Sequence, residues 1–236
     1  MTTSVAWRGR VPFEELAEDG AASAPPSSDR LQWDGATSEQ LDFMRRVYDR
    51  HIASSARQRT FVPSVAAADL AAVEHGQRMR APAAERCRAM LAAAREGLVA
   101  EQAQGNTAAL EVKAFGARSG YRSVETQFSS WERTFRTKYY PNTQTQREKL
   151  EGGAHGAAAV AFLARYVGAR LGAPGFSRHN DGLAMDFFTR EGKAELGPNT
   201  NQASITAWRA SWLFGWLSRR AAEFQFFQNT AINEPW

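Results

Sequence analysis

A chain of 236 residues with 43% hydrophobic residues and seven tryptophans carries enough apolar mass for a sizeable core, which excludes an intrinsically disordered protein. The formal net charge of +4, from 29 Lys and Arg against 25 acidic residues, is mild and spread along the chain; with no zinc-finger spacing, RNP-like run or dense basic block, nucleic acid is not an expected partner. The one cysteine, Cys87, excludes an intramolecular disulfide, and no stretch approaches the roughly 20 apolar residues of a membrane span.

The first residues, "MTTSVAWRGRVPFEELAEDG", show no apolar segment of a secretory signal peptide. Synthesis in the cytoplasm is expected, with any export by another route. Residues 1–35 include "EDGAASAPPSSDR", a Pro/Ser/Ala/Gly-rich run that reads as a flexible arm or linker. Then "TSEQLDFMRRVYDRHI" opens with a capping signal and places Leu41, Met44, Val47, Tyr48 and Ile52 on one helical stripe, with His51 packed on or beside it. Two more helices are expected, over "VAAADLAAVEHGQRM", which carries His75, and over "APAAERCRAMLAAAREGLVAEQAQ", with Pro82 near the start of the second and Cys87 buried in it. Residues 36–105 therefore read as a helical extension packing on a domain that occupies 106–236.

The pattern changes at "ALEVKAFGARSGYRS", which predicts a strand running into a glycine-containing turn. Ser123 then caps a helix with Val124, Phe128, Trp131 and Phe135 on its apolar face. A further helix over "GAAAVAFLARYVGARLG" is expected to end at Gly172, with His155 exposed just before it. The loop "FSRHNDGLAMDFF" passes into a short strand, and one last helix, "SITAWRASWLFGWLSRRAAEF", carries Trp208, Trp212 and Trp216 as a core stripe. The fold class expected is α+β: a small, mostly antiparallel sheet surrounded by helices, with an N-terminal helical extension.

Chemistry concentrates in "SRHNDGLAMDF". His179 and Asp186 are too far apart for one helix face, but a loop turning back onto a strand through Gly182 brings an imidazole and a carboxylate together. Such a pair suits a divalent ion such as zinc, whose catalytic sites use three protein ligands and a water. Alone, the two residues read better as a satisfied surface pair.

Their setting is more specific. Ser177, His179, Gly182, Ala184 and Asp186 give S-x-H-x-x-G-x-A-x-D, which resembles the zinc site of the VanY-like D-alanyl-D-alanine carboxypeptidases and related peptidoglycan peptidases. "SGYRSVETQ", Ser119–Gln127, is similar to the arginine-bearing segment of the same family, and "NEPW" at Asn233–Trp236 to its E-P-W-H element. The resemblance implies His179 and Asp186 as zinc ligands and Glu234 as the general base. It also implies Arg122 as the residue that meets the substrate carboxylate, with Ser177, Gln127 and Tyr121 as further substrate contacts. The family's last ligand is the histidine after the tryptophan, so the chain is expected to end one residue before its third ligand.

Zn2+ is thus the expected cofactor and peptidoglycan stem peptides the expected partner, with action at the cell wall or periplasm. The leading expectation is a D,D-carboxypeptidase. Alternatives are an endolysin-type endopeptidase delivered by phage-type release or a secretion apparatus, and an inactive peptidoglycan-binding form; a secretion-apparatus or immunity partner would accompany such delivery.

Overall fold

The computed structural model describes residues 23–229. Thr37 accepts a hydrogen bond from the Gln40 amide while its own amide donates to the Gln40 side chain, and this reciprocal cap starts α1 (Ser38–Ala56). Phe43, Met44, Val47, Tyr48 and His51 form its buried face.

The next stretch departs from the helix expected over "VAAADLAAVEHGQRM". It forms a hairpin of β1 (Leu70–Ala72) and β2 (Arg78–Arg80), paired from Leu70↔Arg80 to Ala72↔Arg78. Alanine favours a helix locally, but His75 and Gly76 adopt φ of 52° and 73°. Two consecutive left-handed residues make the tight turn that matches the twist of a hairpin. Glu74 then fastens the turn to the strand that carries Ala117, accepting from that residue's amide at 2.9 Å, and to the following helix by pairing with Arg95 at 2.6 Å.

Beyond the hairpin lie α2 (Ala81–Ala103), with Pro82 in its first turn, the single turn α3 (Thr107–Leu110), and β3 (Val112–Ser119). Ser123 caps α4 (Val124–Thr134) as expected, its hydroxyl accepting from the Thr126 amide. A π-helical turn at Phe135–Tyr139 leads into α5 (Tyr140–Asn142) and α6 (Gln144–Glu148). α7 (Ala157–Gly168) stops before Gly172, capped at Ala169.

β4 (Asp186–Glu191) and β5 (Ala194–Leu196) complete an antiparallel sheet of order β3-β4-β5. The single last helix expected from the tryptophan stripe is instead broken into α8 (Gln202–Arg209) and α9 (Trp212–Arg220). At the break the Ser211 hydroxyl accepts from the Phe214 amide, and the Glu191 carboxylate accepts from the Trp212 and Leu213 amides. A carboxylate and a hydroxyl at a helix start satisfy amides that have no intrahelical partner. Trp208, Trp212 and Trp216 all remain buried across the break.

The elements gather around two apolar cores, giving the α+β architecture with its small antiparallel sheets. One core unites α2 with the sheet, α8 and α9 through residues such as Leu91, Phe115, Phe187 and Trp216. The other unites α1 with α4 and α7 through Phe43, Trp131, Phe135 and Leu163. The extension expected over 36–105 is therefore shared between the cores, because α1 and α2 bury their apolar faces in different ones. Residues 23–35 also differ from a flexible arm: Leu31 is fully buried, Trp33 sets its edge against Tyr140, and the Tyr48 hydroxyl donates to the Pro26 carbonyl at 2.9 Å. Two large apolar side chains give that polar run something to bury. The earlier part of the arm lies outside the described residues.

Candidate metal centre

The chain crosses between the cores three times, from α1 to the hairpin and α2, from β3 to α4 and from α7 to β4, and the last two crossings meet. Outbound, β3 leaves the sheet at Ser119 and reaches α4 through Gly120–Ser123. Returning, the segment after α7 passes through 175–185 into β4.

Glycine is required at both crossings. A Cβ on Gly120 would lie 2.5 Å from the Arg78 carbonyl, the same carbonyl that accepts from the Tyr121 amide at 2.7 Å. Gly182 has φ of 70°, and its carbonyl accepts from the Arg80 amide at 3.0 Å. This is the tight turn expected there, and only a residue without a Cβ enters it cheaply. Strand β2 thus buttresses both segments.

Within this frame His179 and Asp186 come together. The imidazole Nδ1 is 2.8 Å from the Gly120 carbonyl, which can only accept, so Nδ1 carries the proton and Nε2 presents its lone pair. That lone pair faces Asp186 Oδ1 at 3.4 Å. The gap is longer than the roughly 2.7–2.9 Å of a charge-assisted hydrogen bond. It does match the edge of a tetrahedron whose metal–ligand bonds are about 2.0–2.1 Å, which is about 3.3–3.4 Å. The donor set and its spacing therefore fit zinc at two positions.

Among the described residues no group of three His, Cys, Asp or Glu side chains converges. Glu234 and the rest of "NEPW" lie outside them. His51 and His155 belong to the second core. His155 is not exposed as expected: its Nδ1 is 3.0 Å from Glu39 and its Nε2 2.8 Å from the Tyr140 hydroxyl. Asp181, beside the site, is turned away. Its Oδ1 accepts from the Leu183 amide at 3.0 Å and its Oδ2 faces Arg59 at 3.5 Å. Burial holds its carboxyl above the ordinary range, against the opposing pull of that amide and of Arg178, Arg59 and Arg80.

Arg122 and Asp186 share an open cleft of about 460 Å³, walled also by Arg118, Ser119, Phe188 and Asn199. The cleft has a cationic side, with Arg118 and Arg122, and an acidic one, with Asp186 and Glu195. Ser177, Tyr121 and Gln127, expected as substrate contacts, do not line it. The Ser177 hydroxyl accepts from the His179 amide at 3.3 Å and shapes the loop. The Tyr121 hydroxyl accepts from the Val65 amide at 3.0 Å and lies 3.3 Å from the Val65 carbonyl, anchoring a distant segment. Gln127 is fully buried, donating to the Gly172 carbonyl at 2.6 Å. Tyr121 and Gln127 are held by backbone partners far along the chain, and Ser177 by the backbone of its own loop.

The sequence left Arg118 and Asn199 unmarked as cleft walls and Asn180 as a buried neighbour of His179. Arg118 precedes the recognisable "SGYRS", and Asn199 arrives only through the folding of β5 onto β4, so no local signal marked either. The asparagine in "SRHND" was a usable turn signal.

A family model described as VanY: D-alanyl-D-alanine carboxypeptidase matches residues 76–235, a range that contains the SGYRS segment, the His179 loop and Glu234. Among solved structures, a glutamate-to-alanine mutant of the vancomycin resistance D,D-pentapeptidase VanY from a VanB-type resistance cassette, in complex with Zn(II), is 18% identical, with 71% of this chain and 75% of that one covered and a TM-score of 0.39. No curated protein matches the chain.

Proposed function

The chain belongs to the VanY D-alanyl-D-alanine carboxypeptidase family, and from that premise we propose that it is a zinc-dependent D,D-carboxypeptidase that removes the terminal D-alanine of peptidoglycan stem peptides. The observation that carries the reading is the His179–Asp186 pair, with Nδ1 held by the Gly120 carbonyl and Nε2 3.4 Å from Asp186 Oδ1.

His179 and Asp186 would hold a zinc ion, which when bound would acidify water and polarise the scissile carbonyl. His179 contributes a fixed lone pair, because the Gly120 carbonyl locks its tautomer and ring orientation. Asp186 supplies a negative oxygen at the head of β4. Arg122 meets the substrate's terminal carboxylate through two parallel hydrogen bonds, as guanidinium geometry allows. Glu234 takes the proton of the attacking water and passes it to the departing amine of D-alanine, so that one C–N bond breaks as one C–O bond forms. Action at the cell wall follows from the substrate; no described helix is long and apolar enough to cross a membrane.

The test is digestion of purified stem pentapeptides with zinc present. Free D-alanine is expected, lost on chelation and lost in His179→Ala. In Arg122→Ala, KM is expected to rise about 10- to 100-fold, the equivalent of a charged hydrogen-bond pair at about 1.5–3 kcal/mol. Cleavage inside the stem without release of D-alanine would instead establish an endopeptidase.

A further inference from the structure

Asn180 sits between the proposed ligand His179 and Asp181, and it is fully buried. Its Oδ1 accepts from the Gly175 amide at 3.0 Å and the Ser177 amide at 3.2 Å. Its Nδ2 donates to the Arg122 carbonyl at 2.9 Å and approaches the Ser123 carbonyl at 3.5 Å. A primary amide has two donors and a two-fold acceptor, and here every one of them is directed at backbone. Leucine would strand two amides and a carbonyl; aspartate would lack the donors.

These bonds join others between the same two segments. The Arg122 amide donates to the His179 carbonyl at 3.0 Å, and the His179 ring to the Gly120 carbonyl at 2.8 Å. The backbone that carries the arginine is thus fixed to the backbone that carries the imidazole at three points. One of the three is the Asn180 side chain, the only one a substitution can remove without touching a proposed ligand or the main chain.

We propose that Asn180 is a positioning residue that couples metal occupancy to recognition of the substrate carboxylate, by holding the Arg122 backbone in register with the His179 loop. This rests on the reading of His179 as a ligand and Arg122 as the carboxylate partner. Any displacement of the His179 loop on metal binding is passed to Arg122 through the side-chain amide. By linkage the effect is reciprocal: zinc strengthens carboxylate binding by the factor with which the carboxylate strengthens zinc binding.

The experiment uses the full chain with two probes, zinc by competition with a chromogenic chelator and D-alanine by calorimetry, each measured with and without the other. In the wild type each is expected to tighten the other several-fold. In Asn180→Ala zinc affinity falls about 10-fold, the usual effect of losing an outer-shell partner, and the mutual factor shrinks markedly, the Arg122–His179 backbone bond carrying what remains. A merely structural role would weaken both affinities and leave the factor unchanged, which would overturn the proposal. Asn180→Gln, which keeps the amide but moves it one methylene out of register, serves if the alanine variant does not fold. A wild type that binds zinc and releases D-alanine from stem peptides, yet shows no mutual effect, overturns the coupling alone. A wild type that binds neither probe overturns the carboxypeptidase reading and the coupling with it.

Discussion

His51 is buried in the second core, where its Nδ1 accepts the indole N–H of Trp131 at 3.1 Å, and burial pushes its imidazole down to about 4. In the unfolded chain a histidine titrates near 6.5. Between those values the unfolded state binds more protons, so stability falls as pH drops through the window, and the full loss is reached below the folded value. The expected loss is roughly 3 kcal/mol. Urea denaturation at pH 7 and pH 4.5 should show the wild type losing about 2–3 kcal/mol more than His51→Gln between the two conditions; equal losses would refute it. The same scale shows how the candidate site was legible. His179 and Asp186 could be read because their motif is local and the turn at Gly182 is written in it. The orientations of Tyr121 and Gln127 could not, since their hydrogen-bond partners are the distant Val65 and Gly172, whose proximity the sequence does not state.

At the scale of elements, β2 is the support on which both halves of the centre rest. Gly120→Ala would put a methyl 2.5 Å from the Arg78 carbonyl, forcing β2 away and breaking the Tyr121–Arg78 bond. A loss of about 1–3 kcal/mol in stability is expected, together with weaker zinc binding, because the carbonyl that orients His179 moves with residue 120. A variant with unchanged melting temperature and unchanged chelator competition would contradict this. Helices α1 and α4 were legible because their caps and stripes lie within their own sequence, and α2 because Pro82 marks its first turn. The hairpin was not, since alanine-rich flanks outweigh a His75–Gly76 turn in any local reading. The α8/α9 break was hidden for a different reason: part of its cap, Glu191, comes from another element.

At the scale of the molecule, the second core is completed by a segment that looks dispensable in sequence. Leu31 illustrates this, being completely buried within a polar, proline-containing run. Leu31→Ala is expected to cost about 2–4 kcal/mol through lost burial and the cavity left behind, read as a shift in denaturation midpoint. A passive arm would give less than about 0.5 kcal/mol. The adjacent Arg30–Glu125 pair, roughly half exposed on both sides, contributes little by comparison. The stretch from Ser123 to Gly175 leaves and rejoins the centre through a single doorway, with Asn180 gripping carbonyls on one jamb and amides on the other. The stretch beyond that doorway shares its apolar face with α1 and Leu31, so its loops can change length while the His179–Asp186 pair stays in place, provided that shared face is kept.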